Sequence, residues 1–246
     1  MLTAGVDLAA ESRGTALAVI EWRERDATVR ELHLDVHDPQ IVATAHSVEK
    51  LGIDCAFGWP DDFVAFVAAH ATLAPEPAAV DGGMEWRRTL AYRETDRRVR
   101  ARVGRWPLSV STDRLGLTAM RCAGLLARLR ESGFDVDRSG TGKVAEVYPG
   151  ASIRLWGFLP DGYRADPAAR ERLLAALLDE APWLRVEGHA PLMVRSADAF
   201  DAVIAALAAR AAVLGLFEGP PPELEAVARR EGWVALPDGS IGDLVG

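Results

Sequence analysis

Lysine is almost missing from this sequence: Lys50 and Lys143 are its only two, so arginine supplies nearly all of the 28 basic charges in 246 residues. Cysteine is as scarce. Cys55 and Cys122 lie far apart, form no C-x-x-C pair and belong to no histidine pattern, which argues against a disulfide framework or a cysteine-based zinc site. Two isolated thiols fit a reducing cytoplasm. Long apolar runs are also lacking. The longest are broken by Asp, Arg or Gly well short of the ~20 residues a membrane span needs, and no basic stretch precedes an apolar run at the N-terminus. Neither export nor a membrane partner is expected.

What is present suits a water-soluble globular fold. Hydrophobic residues make up 49% and charged residues 26%, enough apolar material for a sizeable core. The net charge of −8 argues mildly against nucleic acid as a partner, because phosphate binding leans on Lys and Arg. Its distribution matters more than its sum. Residues 87–105 hold eight arginines against Glu94 and Asp96, a local +6 on a body carrying −14. That segment suits either a solvated helix face or a phosphate-contacting surface.

Periodicity outlines the fold. "LTAGVDLA", "GTALAVIEW" and "TVRELHLDV" read as three strands joined by short turns, an antiparallel meander. Asp38 and Pro39 open a helix over 38–50, with Gly52 as its stop, and "LGIDCAFGWP" follows as a fourth strand. A helical pattern then runs through about 61–135, and its segment "LGLTAMRCAGLLARLRESG" carries an apolar face. That face suits the core, with a homodimer surface as the other use. "KVAEVYP" restores the sheet as a fifth strand, and "WVALPDG" offers an edge strand. The long last helix, "SADAFDAVIAALAARAAVLG", is capped by Ser196 and stopped by Gly215. With no repeat and no linker, one domain over 1–246 is expected: an α/β fold with a mixed five-stranded sheet flanked by helices and a helical insertion between strands four and five.

Five carboxylates stand out. Asp7 lies mid-strand between Val6 and Leu8, where an unpaired buried charge is costly, so a cation nearby is the simplest reason for it. Asp54 precedes a Gly-Trp-Pro turn and suits either a turn cap or a ligand. Glu146 sits in the fifth strand, available to a metal or to an arginine of 87–105. Asp198 and Asp201 are three apart on the last helix and so share a face, although early-turn acids also favour the helix dipole by ~0.3–1 kcal/mol. Carboxylates from distant segments are the hard-oxygen set that Mg2+ or Mn2+ prefers, and two such ions promote phosphodiester hydrolysis.

The runs "GVDLA", "GIDCAFGWP", "YRETDRRVR", "AEVYPGASIRLWG" and "SADAFDAVIAALAAR", in that order over roughly residues 4–236, resemble domain-of-unknown-function family 429, whose members are described as predicted RNase H-like nucleases. The resemblance implies an RNase H-like fold binding two divalent metals. It implies Asp7 as the first-strand acid, Asp54 as the fourth-strand acid, Asp198 or Asp201 as the last-helix acids and Glu146 as the family's strand-five acid. The expected roles are Asp7, Asp54 and Asp201 as principal ligands and Asp198 as a further ligand or general base. In "YRETDR" it marks Arg93, Asp96 and Arg97 for substrate contact, with a buried Arg–Asp pair as the alternative. The implied activity is metal-dependent cleavage of nucleic acid, DNA or RNA. Two other readings are a non-catalytic RNase H-like module that binds nucleic acid or protein, and an actin-like or sugar-kinase-like phosphotransferase, suggested by "DLAAESRGTALAVIE".

Overall fold

Strand β1 (Leu2–Asp7) is flanked on one side by β2 (Ala16–Trp22), antiparallel to it, and on the other by β4 (Lys50–Asp54), parallel to it. The computed structural model describes residues 1–72 and 82–245. Strand β3 (Ala27–Leu34) continues the meander beyond β2, and β5 (Val144–Glu146) lies parallel beyond β4. A two-residue strand, β6 (Leu184–Arg185), adds parallel to β3. The sheet is therefore six-stranded in the order β5-β4-β1-β2-β3-β6, one strand more than the periodicity predicts. A two-residue strand is too short to show alternation, which is why pattern reading passes over it. The expected edge strand at "WVALPDG" reduces to single bridges, Glu146 with Val234 and Phe217 with Pro237.

Helix α1 (Asp38–Ser47) stops before the predicted boundary. Gly52 is no helix stop; it lies inside β4, where its missing side chain has another use. Between β4 and β5 run α2 (Asp61–Ala71), α3 (Gly83–Ala91), α4 (Glu94–Val103) and α5 (Gly116–Glu131). The part of the helical reading that falls on 73–81 lies outside the described residues. Ala119, Cys122, Leu125, Leu126 and Leu129 of α5 are buried in a core cluster shared with α1, β1 and β4, so this apolar face serves the core. After β5 come α6 (Pro149–Leu155), α7 (Pro167–Glu180), α8 (Ala190–Arg195), α9 (Ala197–Val213) and α10 (Glu225–Glu231).

The central helix is α9. The Ser196 hydroxyl accepts from the Ala199 amide at 3.1 Å and caps it, and Gly215 in the left-handed region (φ 72°) ends it. Almost every residue from Ala199 to Ala212 is buried, so α9 is wrapped by protein on all sides. It lies directly on β1 and β4. A Cβ on Gly5 would come within 2.2 Å of the Ala202 carbonyl oxygen, and one on Gly52 within 2.6 Å of the Ala205 carbonyl oxygen. Gly5 and Gly52 are ladder partners, so two adjacent glycines and an alanine-rich helix face bring backbone against backbone. That close approach sets the height of α9 above the strand ends.

Both cysteines are free and buried, and among the described residues no helix is long and apolar enough to cross a membrane.

Candidate metal centre

The parallel β1/β4 register pairs Asp7 with Asp54, two residues beyond the Gly5–Gly52 pair. Since side chains alternate along a strand, both carboxylates project from the face that α9 covers. Asp201 lies one helical turn before Ala205 and on the same side, so it meets them over the strand ends. One carboxylate oxygen each from Asp7, Asp54 and Asp201 lies within 4.8 Å of the others. Asp201 is 0% exposed and Asp7 7%, while Asp54 is half-buried.

Two residues of the loop between α6 and α7, unmarked by any sequence pattern, complete the centre. The Tyr163 hydroxyl donates to Asp201 Oδ1 at 2.7 Å. Arg164 places Nη1 2.6 Å from Asp201 Oδ2 and Nη2 3.7 Å from Asp7 Oδ2. The first contact is an ion pair without hydrogen-bond alignment, so Asp201 Oδ2 is a fully buried oxygen that accepts no hydrogen bond. Buried Arg170 fixes the loop backbone by donating to the carbonyls of Tyr163 and Arg164, and reaches the Val194 and Arg195 carbonyls just ahead of α9. One guanidinium thus holds the loop to the start of the helix that carries Asp201.

The electrostatics follow from burial and crowding. Asp7 is pushed up to about 9, by burial first and then by Asp54 and Asp201, with Arg164 opposing. Burial and Asp201 push Asp54 up to about 8. Asp201 reaches only about 6, because Arg164 and the Tyr163 hydroxyl offset part of its burial. Burial alone would lower Arg164, but Asp201 and Asp7 outweigh it and raise it. Three carboxyl groups crowd one guanidinium, so ionising all three would leave a net negative charge that burial makes costly. An all-oxygen donor set, with a buried Asp201 oxygen held only by an ion pair, fits a hard divalent cation.

The other sequence-marked residues lie elsewhere. Asp198 occupies the first turn of α9, half-buried and outside the three-carboxylate set, although its charge adds to the upward shift of Asp201. Asp198 has the first-turn position that also favours the helix dipole, whereas Asp201 lies beyond the first turn. Glu146 pairs across the ladder with Ile53, not Asp54, and this one-residue offset turns it to the opposite face of the sheet. There it accepts from Arg93 Nη2 at 2.7 Å, Arg93 Nη1 at 2.9 Å and the Phe57 amide at 2.9 Å.

Arg93 also donates from Nε and Nη2 to Asp96 and from Nη1 to the Glu231 carbonyl, so all five of its N–H groups are engaged. Arg93 and Asp96, 4% and 1% exposed, form the buried pair that was the alternative to substrate contact. A phosphate would find no free donor there. Arg97 pairs with Glu94 at the surface.

A family profile described as "Protein of unknown function (DUF429)" matches residues 5–226. The chain belongs to that family. No curated protein and no solved structure matches it. The DUF429 span takes in Asp7, Asp54, Tyr163, Arg164 and Asp201, so the whole carboxylate centre of this DUF429 protein lies within the family region.

Proposed function

We propose that this protein is a metal-dependent, RNase H-like nuclease that hydrolyses phosphodiester bonds in nucleic acid. The observation that carries the reading is the meeting of Asp7, Asp54 and Asp201 from three distant segments, with a buried Asp201 oxygen that accepts no hydrogen bond. Support comes from a central β1 with an acid at its end, an antiparallel meander on one side, parallel β4 with a second acid on the other, and a third acid on a late helix, in keeping with the placement that the RNase H-like resemblance implies.

Asp7, Asp54 and Asp201 would hold Mg2+ or Mn2+, with Asp198 at the rim as a further ligand or a base. Bound there, the divalent ions supply Lewis acidity that activates a water and neutralises charge developing on phosphoryl oxygens. The chain's own residues prepare the site. Tyr163 fixes the orientation of the Asp201 carboxylate, and the strand register holds Asp7 against Asp54, so the ligands need little reorganisation.

The test is incubation with labelled single-stranded, duplex and hybrid substrates in Mn2+, wild type beside Asp201→Asn. Cleavage by wild type alone is expected. Equal cleavage by both, or by neither on any substrate, refutes the proposal.

A further inference from the structure

Arg164 is held in an unusual way. Its backbone carbonyl and that of Tyr163 are pinned by buried Arg170, and the Tyr163 side chain is tied to Asp201. Its own side chain is 54% exposed, and its guanidinium meets only the carboxylates of Asp7 and Asp201 among the ion pairs of the described residues. Neither contact is a well-formed hydrogen bond: one lacks alignment and the other is 3.7 Å long. The group is therefore held by charge, between two of the three carboxylates, on a half-exposed stem whose backbone is anchored separately by Arg170.

Resting on the metal-centre reading above, we propose that Arg164 is a displaceable counter-cation that balances Asp201, with Asp7 beside it, until divalent metal binds, then swings to hold the non-bridging oxygens of the substrate phosphodiester. Two physical points support this. A guanidinium cannot lose its proton, so a cation entering between Asp7 and Asp201 has to displace it rather than neutralise it. A displaced guanidinium on a half-exposed stem at the mouth of the centre has its planar donor fork free, and that fork matches phosphate oxygens two at a time. Arg93 has no donor left for this task, and Arg154, near the same loop, is paired with Asp161 at 2.9 Å.

The test compares wild type, Arg164→Gln, Arg164→Lys and Asp201→Asn. Mn2+ affinity is read by isothermal titration calorimetry without nucleic acid, and binding of labelled single-stranded DNA and RNA is read by anisotropy in Ca2+. Circular dichroism confirms that each variant is folded, and Arg164→Lys, which keeps the charge, carries the comparison if Arg164→Gln does not fold. Arg164→Gln is expected to bind Mn2+ about tenfold tighter or more, because the competing charge is gone, and to bind the strands about tenfold more weakly. Arg164→Lys should keep near-wild-type Mn2+ affinity and lose strand affinity, lacking the two-pronged fork. Unchanged or weaker Mn2+ binding by Arg164→Gln, or undiminished strand binding by both Arg164 variants, overturns the role of Arg164 while leaving the metal centre standing. A wild-type protein that shows no heat beyond that of Asp201→Asn overturns the metal centre and the Arg164 role together.

Discussion

Asp7 at the end of β1 stands opposite Asp54 at the end of β4, in a parallel ladder where Gly5 faces Gly52 two residues earlier. Two carboxylates side by side repel, and α9 adds Asp201 above them. The fold keeps this arrangement because the glycines let a helix backbone settle on the sheet.

Without metal, the protein should lose stability as pH rises. Asp7 and Asp54 titrate at about 9 and about 8 in the fold against an ordinary 3.8, so between these limits the folded chain holds more protons than the unfolded one. A state that binds more protons is weakened by their removal, so melting temperature should fall from about pH 5 to about pH 8.5. Mg2+ replaces the lost protons, and its stabilising effect should grow over the same interval. Asp7→Asn should flatten both trends. A Mg2+ response independent of pH would contradict this account.

The two glycines under α9 should resist even a methyl group. Gly5→Ala puts a Cβ 2.2 Å from backbone atoms that cannot move independently, and Gly52→Ala one at 2.6 Å. Each should cost about 3 kcal/mol, by the usual scale of overpacking, and weaken Mn2+ binding as α9 lifts away. Gly124→Ala, inside α5 with nothing near its absent Cβ, should instead stabilise by about 0.5–1 kcal/mol. Urea unfolding of the three variants checks the contrast.

The Arg93 cluster should behave as structure, apart from the metal centre. Arg93→Met strands Asp96 and Glu146 as buried, unpaired carboxylates, a change that typically costs about 3–5 kcal/mol. Mn2+ affinity of the folded fraction should stay at the wild-type value, since Glu146 lies across the sheet from Asp7 and Asp54. A tenfold loss of Mn2+ affinity with an unaltered unfolding midpoint would reverse these roles.

Much of the site was legible because its logic is local. An acid within an apolar run has few structural uses, and that marked Asp7, which is the last residue of β1 and not a mid-strand one; Asp54, also the last of its strand, suited a turn cap as well as a ligand. Helical spacing marked Asp198 with Asp201, but could not say which of them reaches the sheet, because that depends on where α9 crosses β1 and β4. The shared Gly-x-Asp of "GVD" and "GID" was the available signal: a glycine two residues before each acid, on the same strand face. Glu146 looked equivalent to Asp54 in the chain and lies on the other face, since a one-residue register offset inverts the side chain.

The sequence by itself determined the mixed α/β class, the meander, the capped last helix and a short list of five candidate acids, because periodicity, turn residues and the cost of burying charge act over a few residues. Only the tertiary structure decided the β1/β4 register, the seating of α9 on Gly5 and Gly52, and the arrival of Tyr163 and Arg164 from an irregular loop. Those depend on segments far apart in the chain packing against one another, and no local pattern encodes which distant partner a side chain will meet.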